Sequence, residues 1–200
     1  RYCWLRDATF SLYALMGAGY DDEAVAWRDW LLRAAAGAPE QLQIMYGAGG
    51  ERRLNELTLD WLEGYEGSRP VRIGNEASQQ FQLDVYGELM DCFHQTRRQG
   101  VDHDGDVWNL QVAVMESLEG RWQEPDEGIW EVRGPRRHFT HSKVMAWVAA
   151  DRAVKAVEQF GLDGPADRWR RLRDDIHAEV CTRGFDADRG AFTQSYGRRE

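Results

Sequence analysis

The sequence is short of several things, and each shortage excludes something. It holds no run of about 18 apolar residues, so it offers no transmembrane helix. Basic residues are outnumbered: Lys+Arg 25 against Asp+Glu 34 leaves a net charge of −9. That balance argues against nucleic acid and anionic membranes as main partners. The three cysteines (Cys3, Cys92 and Cys181) are far apart and show no CxxC spacing, so neither a disulfide framework nor a zinc site is indicated. They read as buried free thiols and lean toward the cytoplasm. Proline is scarce, at five, which suits a helical chain. The stretch Gly67-Ser68-Arg69-Pro70-Val71-Arg72-Ile73-Gly74-Asn75 has two arginines but lacks the glycine spacing and lysine of a phosphate loop. Asp102-His103-Asp104-Gly105-Asp106 begins like a calcium loop. However, Val107 stands where the turn glycine belongs and Ala113 where the bidentate Glu belongs, so it reads as a helix-capping turn. His138 and His141 flank Thr140 with no metal-ligand pattern, and Ser195 has no nucleophile elbow around it.

What is present is a globular composition rich in aromatics. Hydrophobic residues make up 42%, enough for one core in 200 residues, and there are nine Trp, seven Tyr and seven Phe. Trp suits cores, interfaces and sugar rings alike. Periodicity and breakers predict six helices: Arg6 to Met16, Asp21 to Gly37, Asn75 to Gly100, Asp104 or Asp106 to Gly120, Thr140 to Gly161, and Pro165 to Gly184. A short helix is expected between Asn55 and Leu62, and a short extended loop after the sixth helix. Links of about four residues, or slightly fewer, pair the helices into three αα-hairpins. The long connections, Ala38 to Gly74 and Arg121 to Phe139, then emerge on one face, where function is expected.

Two segments on that face carry chemistry. Glu124-Pro125-Asp126-Glu127-Gly128-Ile129-Trp130-Glu131-Val132-Arg133-Gly134 holds four carboxylates. It is either a solvated acidic loop with Trp130 plugging the core, or a site where a carboxyl desolvated beside Trp130 acts as a general acid and Arg133 holds a neighbour ionised. Trp4-Leu5-Arg6-Asp7 sits at a helix start. Asp7 either caps the helix beside a surface arginine or accepts sugar hydroxyls while Arg6 donates to them. The chain opens at Arg1 within an aromatic stretch and closes on Gly197-Arg198-Arg199-Glu200, and is expected to be an internal piece of something larger.

In order along the chain, the motifs are Arg1-Tyr2-Cys3-Trp4-Leu5-Arg6-Asp7-Ala8, Gly64-Tyr65-Glu66-Gly67-Ser68-Arg69-Pro70-Val71-Arg72-Ile73-Gly74-Asn75, Gln82-Leu83-Asp84-Val85-Tyr86-Gly87-Glu88, Pro125 to Gly134, and His138-Phe139-Thr140-His141-Ser142-Lys143. Together they resemble glycoside hydrolase family 15, the glucoamylase-like enzymes. The resemblance implies an all-α fold, an (α/α)6 barrel, of which three hairpins are about half: residues 1–200 would be a single partial domain, the N-terminal half of the catalytic barrel. It also implies an inverting mechanism with two glutamates. Glu131 matches the general acid and Trp130 the aromatic beside it. Arg6 and Asp7 match the pair that holds the terminal glucose, and Trp4 an aromatic contacting that sugar. Val132 departs from fungal members, which carry a second acidic residue there for the next sugar. The general base is expected beyond Glu200, and the β-sandwich usual in bacterial members before Arg1.

The leading expectation is an exo-acting glucoamylase-type enzyme releasing glucose from non-reducing ends of α-glucans or maltooligosaccharides. An α,α-trehalase is the runner-up and α-1,6 cleavage a third option. The alternative from another class is a noncatalytic carbohydrate-binding toroid. No cofactor or metal is needed by two carboxylates, and the isolated 200 residues are expected to be inactive without the base.

Overall fold

The computed structural model describes residues 2–35, 41–100, 105–131 and 134–198. Strand β1 (Tyr2–Trp4) runs straight into helix α1 (Leu5–Gly17), and α2 (Asp21–Ala35) returns beside it. A long excursion follows, with β2 (Met45–Gly47), β3 (Leu57–Thr58) and β4 (Arg72–Ile73). Then come α3 (Asp84–Arg98), α4 (Gly105–Arg121), α5 (Thr140–Phe160) and α6 (Ala166–Glu179). The strands form antiparallel pairs: β1 with β2, β3 with β4, and β5 (Phe185–Asp186) with β6 (Ala191–Phe192).

The helices are sorted by how many of their faces are apolar. Most of α3 is buried, as is about half of α5, including Ala146, Ala149, Ala150 and Ala153. Each outer helix buries one stripe, such as Trp169, Leu172 and Ile176 on α6. Side-chain contacts give the directions. Arg6 meets Asp84 and Tyr13 meets Asp91, so α1 and α3 run parallel. Gly87 abuts Met145 and Asp91 meets Arg152, so α3 and α5 are parallel too. Tyr86 pairs with Ser117 and Arg97 with Gln111, which makes α4 antiparallel to α3. Trp147 with His177 and Asp151 with Arg173 do the same for α5 and α6. The result is three hairpins with α1, α3 and α5 inside and α2, α4 and α6 outside. All three inner N-termini lie at one end, with the long connections.

Gly87 explains how closely the inner helices approach. A Cβ there would lie 2.2 Å from the Met145 carbonyl oxygen, inside the backbone of α5.

Several expectations are corrected. The third helix begins at Asp84, not Asn75; Asn75 instead caps a separate 3-10 turn, Glu76–Gln79, with its side chain accepting from the Ala77 N–H at 3.0 Å. Between Asn55 and Leu62 there is strand β3, because Leu57 and Thr58 pair with Ile73 and Arg72. The stretch expected as a loop after α6 is the β5–β6 hairpin. The sixth helix ends in a π turn, Val180–Gly184. The link from α5 to α6, 161–165, is not the shortest of the three: it is longer than 18–20 between α1 and α2, though shorter than 99–104 between α3 and α4. Only Cys92 is a buried thiol; Cys3 is half-buried and Cys181 is exposed. The stretch Asp102 to Asp104 lies outside the described residues, as do Val132 and Arg133.

Candidate active site

The acidic loop between α4 and α5 sorts its four carboxylates by partner. Glu124 pairs with Arg121 at 3.4 Å. Asp126 is fully buried and its backbone bridges to Arg137 through two hydrogen bonds of 2.9 Å. Its Oδ2 accepts from the Leu83 N–H at 3.0 Å, and burial pushes its carboxyl up to about 6. The Ser142 hydroxyl opposes that rise, and Oδ1 makes no hydrogen bond among the described residues. Glu127 Oε2 accepts from the Phe81 N–H and Oε1 from Arg136, both at 2.8 Å. Beneath the loop, fully buried Lys143 donates to the carbonyls of Trp122 and Glu124. These contacts rivet the loop to residues 81–83.

Glu131 is left over. Its N–H donates to the Gly128 carbonyl at 3.2 Å, closing a turn in which both Gly128 (φ 69°) and Glu131 (φ 53°) are left-handed. For a glutamate that conformation is uncommon and is held only where the surroundings over-determine it. Burial raises the Glu131 carboxyl above its ordinary value; Arg6 works against the rise and Asp7 adds to it. Arg6, Asp7 and Glu131, far apart in sequence, thus share one electrostatic neighbourhood.

Arg6 is itself positioned. Its Nη1 donates to Asp84 Oδ2 at 3.0 Å and to Gln82 Oε1 at 3.2 Å, from the first turn of α1 to the start of α3. Among the described residues both bonds use one nitrogen, leaving Nη2 and Nε as donors for a ligand. Asp7 is exposed in the same turn. Its side chain does not cap α1, whose N-cap is Trp4 with no side-chain cap bond. Trp4 is half-buried on β1, opposite Met45. Trp130 is no core plug: it is 77% exposed. With Ile129 it walls an apolar hollow of about 350 Å³ that His141, Val144 and Phe192 also line. Glu131 itself lines a separate polar cleft of about 490 Å³, with Glu56, Asn75, Glu76, Gln80 and Glu127.

The structure therefore brings Arg6, Asp7 and Glu131 together and sets Trp4 and Trp130 on the same end of the helices. The sequence reading assigned no role to Asp84 and Gln82, the clamp on Arg6, or to His141 at the start of α5. The His141 imidazole lies in the field of Asp84 and Arg6 and is held below its usual value by burial. Among the described residues, no cluster of three or more His, Cys, Asp or Glu could hold a metal.

The family model described as "Glycosyl hydrolases family 15" matches residues 1–200. The trehalase of Mycobacterium tuberculosis is 42% identical over 200 residues, covering 98% of this chain and 29% of that protein. The trehalase of Thermoplasma volcanium is 35% identical over 203 residues, covering 100% and 32%. The chain therefore spans about a third of the length of these curated relatives. A solved structure titled "Glycosidase E335A in complex with glucose" superposes with a TM-score of 0.71 at 17% identity, over 98% of this chain and 52% of that one. This likeness concerns the fold, and three hairpins over half of that chain agree with about half of an (α/α)6 barrel. With its family model matched from end to end, the chain belongs to glycosyl hydrolases family 15.

Proposed function

We propose that the protein hydrolyses the α,α-1,1 bond of trehalose by an inverting acid/base mechanism, with Glu131 as the general acid. The single observation that carries the acid assignment is that Glu131 is the loop carboxylate without a hydrogen-bond or ion-pair partner among the described residues, and that its carboxyl lies in the field of Arg6 and Asp7. In this reading Arg6 and Asp7 bind hydroxyls of the glucosyl unit being cleaved, with Trp4 and Trp130 against its ring. The leaving glucose occupies the polar cleft that Glu131 lines.

In the reaction, water attacks the anomeric carbon from the face opposite the leaving oxygen. The C–O bond breaks, the Glu131 proton moves to the leaving oxygen, and a second carboxylate takes the proton of the water. Inversion requires that carboxylate roughly 6.5–9.5 Å from the acid. In this reading it comes from a part of the protein outside these 200 residues. The raised Glu131 carboxyl suits an acid that must keep its proton until the bond breaks. The choice of trehalose over α-glucans is supported by relatives named trehalase at 35–42% identity.

The test is glucose release by the whole protein from trehalose and from maltooligosaccharides, side by side, with Glu131→Gln as control. Trehalose cleavage giving one α- and one β-glucose, reduced by several orders of magnitude in the variant, is expected. Release from maltooligosaccharides alone moves the specificity to the glucoamylase type. Release from neither, with sugar still bound, leaves a binding toroid.

A further inference from the structure

The motif Gln82 to Glu88 contains one group that the functional reading does not use. Helix α3 carries Asp84, Glu88 and Asp91 at spacings of four and three, which puts three carboxyls on one stripe facing α1. The two outer members are engaged. Asp84 holds Arg6, while Asp91 accepts from Tyr13 at 2.8 Å and from Arg152 at 2.5 Å. Glu88, between them, is buried and makes neither a hydrogen bond nor an ion pair among the described residues. Burial pushes its carboxyl up to about 7, with Asp84 and Asp91 adding to the rise and Arg6 opposing it.

The charged groups around Glu88 are few. Arg6 and Tyr13 face it from α1, and Asp84, Asp91 and the Cys92 thiol share its own helix. From α5, Arg152 is committed to Asp91 and Asp151, and His141 lies higher, in the field of Asp84. A buried carboxylate without a partner is costly, and the cation whose charge acts on it is Arg6, which bonds through Nη1 alone among the described residues.

We propose that Glu88 is a positioning residue for the sugar site: as a neutral carboxyl it leaves Arg6 in the Asp84–Gln82 clamp, and as a carboxylate it draws Arg6 down the stripe, away from the sugar. This rests on the reading that Arg6 holds the cleaved glucosyl unit. By linkage, sugar binding and Glu88 protonation favour one another.

The experiment uses the whole protein carrying Glu131→Gln, which removes both hydrolysis and the titration of the general acid. The Kd for trehalose is measured from pH 6.5 to 8.5, on the alkaline side of the His141 imidazole, which burial holds below its usual value. The expected result is a Kd that rises several-fold through the neutral range, and that Glu88→Gln holds flat at its low-pH value. Arg6→Ala binds more weakly but also without pH dependence, so the prediction stands even where Glu88→Gln does not fold. A flat profile with Glu88 present overturns the proposal, as does a slope that survives Glu88→Gln. In both cases tight trehalose binding leaves the functional reading intact. Absence of trehalose binding at every pH in the folded protein overturns that reading and this proposal with it.

Discussion

Replacing Asp126 separates its two duties, accepting a hydrogen bond and carrying a buried charge. Asp126 Oδ2 receives the Leu83 N–H at 3.0 Å in a fully buried position. Asp126→Ala leaves that N–H without an acceptor, a loss of about 1–3 kcal/mol. Asp126→Asn keeps an acceptor and removes the charge. Burial has moved the carboxyl from 3.8 to about 6, so the folded state favours its protonated form. At about 1.36 kcal/mol per pH unit, that is roughly 3 kcal/mol. Between the two values the folded state binds more protons than the unfolded one, so the contribution is fully present below 3.8 and is lost as pH rises through 6. The stability difference between the Asp126→Asn variant and wild type should therefore be small near pH 4. By pH 7.5 it should favour the variant by up to about 3 kcal/mol. Urea unfolding of the whole protein at several pH values reads this difference. A variant that is less stable than wild type by more than about 2 kcal/mol at pH 7.5, or a difference shifting the other way with pH, would show that Asp126 is not held as a buried, charge-disfavoured acceptor.

Three further outcomes follow from particular contacts. Gly87→Ala puts a methyl 2.2 Å from the Met145 carbonyl oxygen. It should cost about 1–3 kcal/mol or more by forcing α3 from α5, seen as a lowered Tm. Trp130→Ala, at a 77% exposed position, should leave Tm within the usual surface range. It should raise KM about tenfold, worth about 1.4 kcal/mol, by removing a ring from the sugar; an unchanged KM argues against contact. Glu131 must be protonated to act, and burial holds its carboxyl above the ordinary value. The alkaline limb of kcat should thus lie above the usual carboxylate range near about 4.3. A limb within that range, read from a pH–rate profile, would mean a different acid.

The hairpins were legible because helix periodicity and short links are local features. Thr140–Phe160 begins at the expected residue, and Gly161, at φ 69°, ends it as a left-handed cap. The start of α3 was not legible. Asn75 is a good capping residue, but it satisfies a four-residue 3-10 turn, while α3 starts at Asp84 behind an N-cap, Leu83, that makes no side-chain cap bond. Strand β3 was missed because its partner, β4, is distant in sequence. The acidic loop shows the same limit at the site. Composition cannot say which of four carboxylates is free when the sorting is done by Phe81, Leu83, Arg121 and Arg136. Trp130 illustrates it too, since a core plug and an exposed platform look identical until the loop has a path.

The distance between Arg6 and Glu131 is set by one short segment rather than by the long stretch of chain between them. Phe81 pairs with Glu127 through its N–H and carbonyl, Leu83 donates to Asp126, and Asp84 holds Arg6. The loop that carries the acid and the clamp on the sugar-binding arginine therefore hang from the same few residues at the head of α3. Such an anchor suits a reaction whose proton donor must meet one oxygen of a sugar fixed elsewhere. It also accounts for the tolerance of a left-handed Glu131, because its turn is held from both ends by Asp126–Arg137 pairing and by Gly128 against the Phe139 ring. A change at Glu131 should touch the chemical step alone. A change at Asp84, such as Asp84→Asn, weakens the clamp and should alter sugar binding and turnover together, raising KM and lowering kcat in one variant. An effect on KM alone would mean that Arg6 and Glu131 are positioned independently.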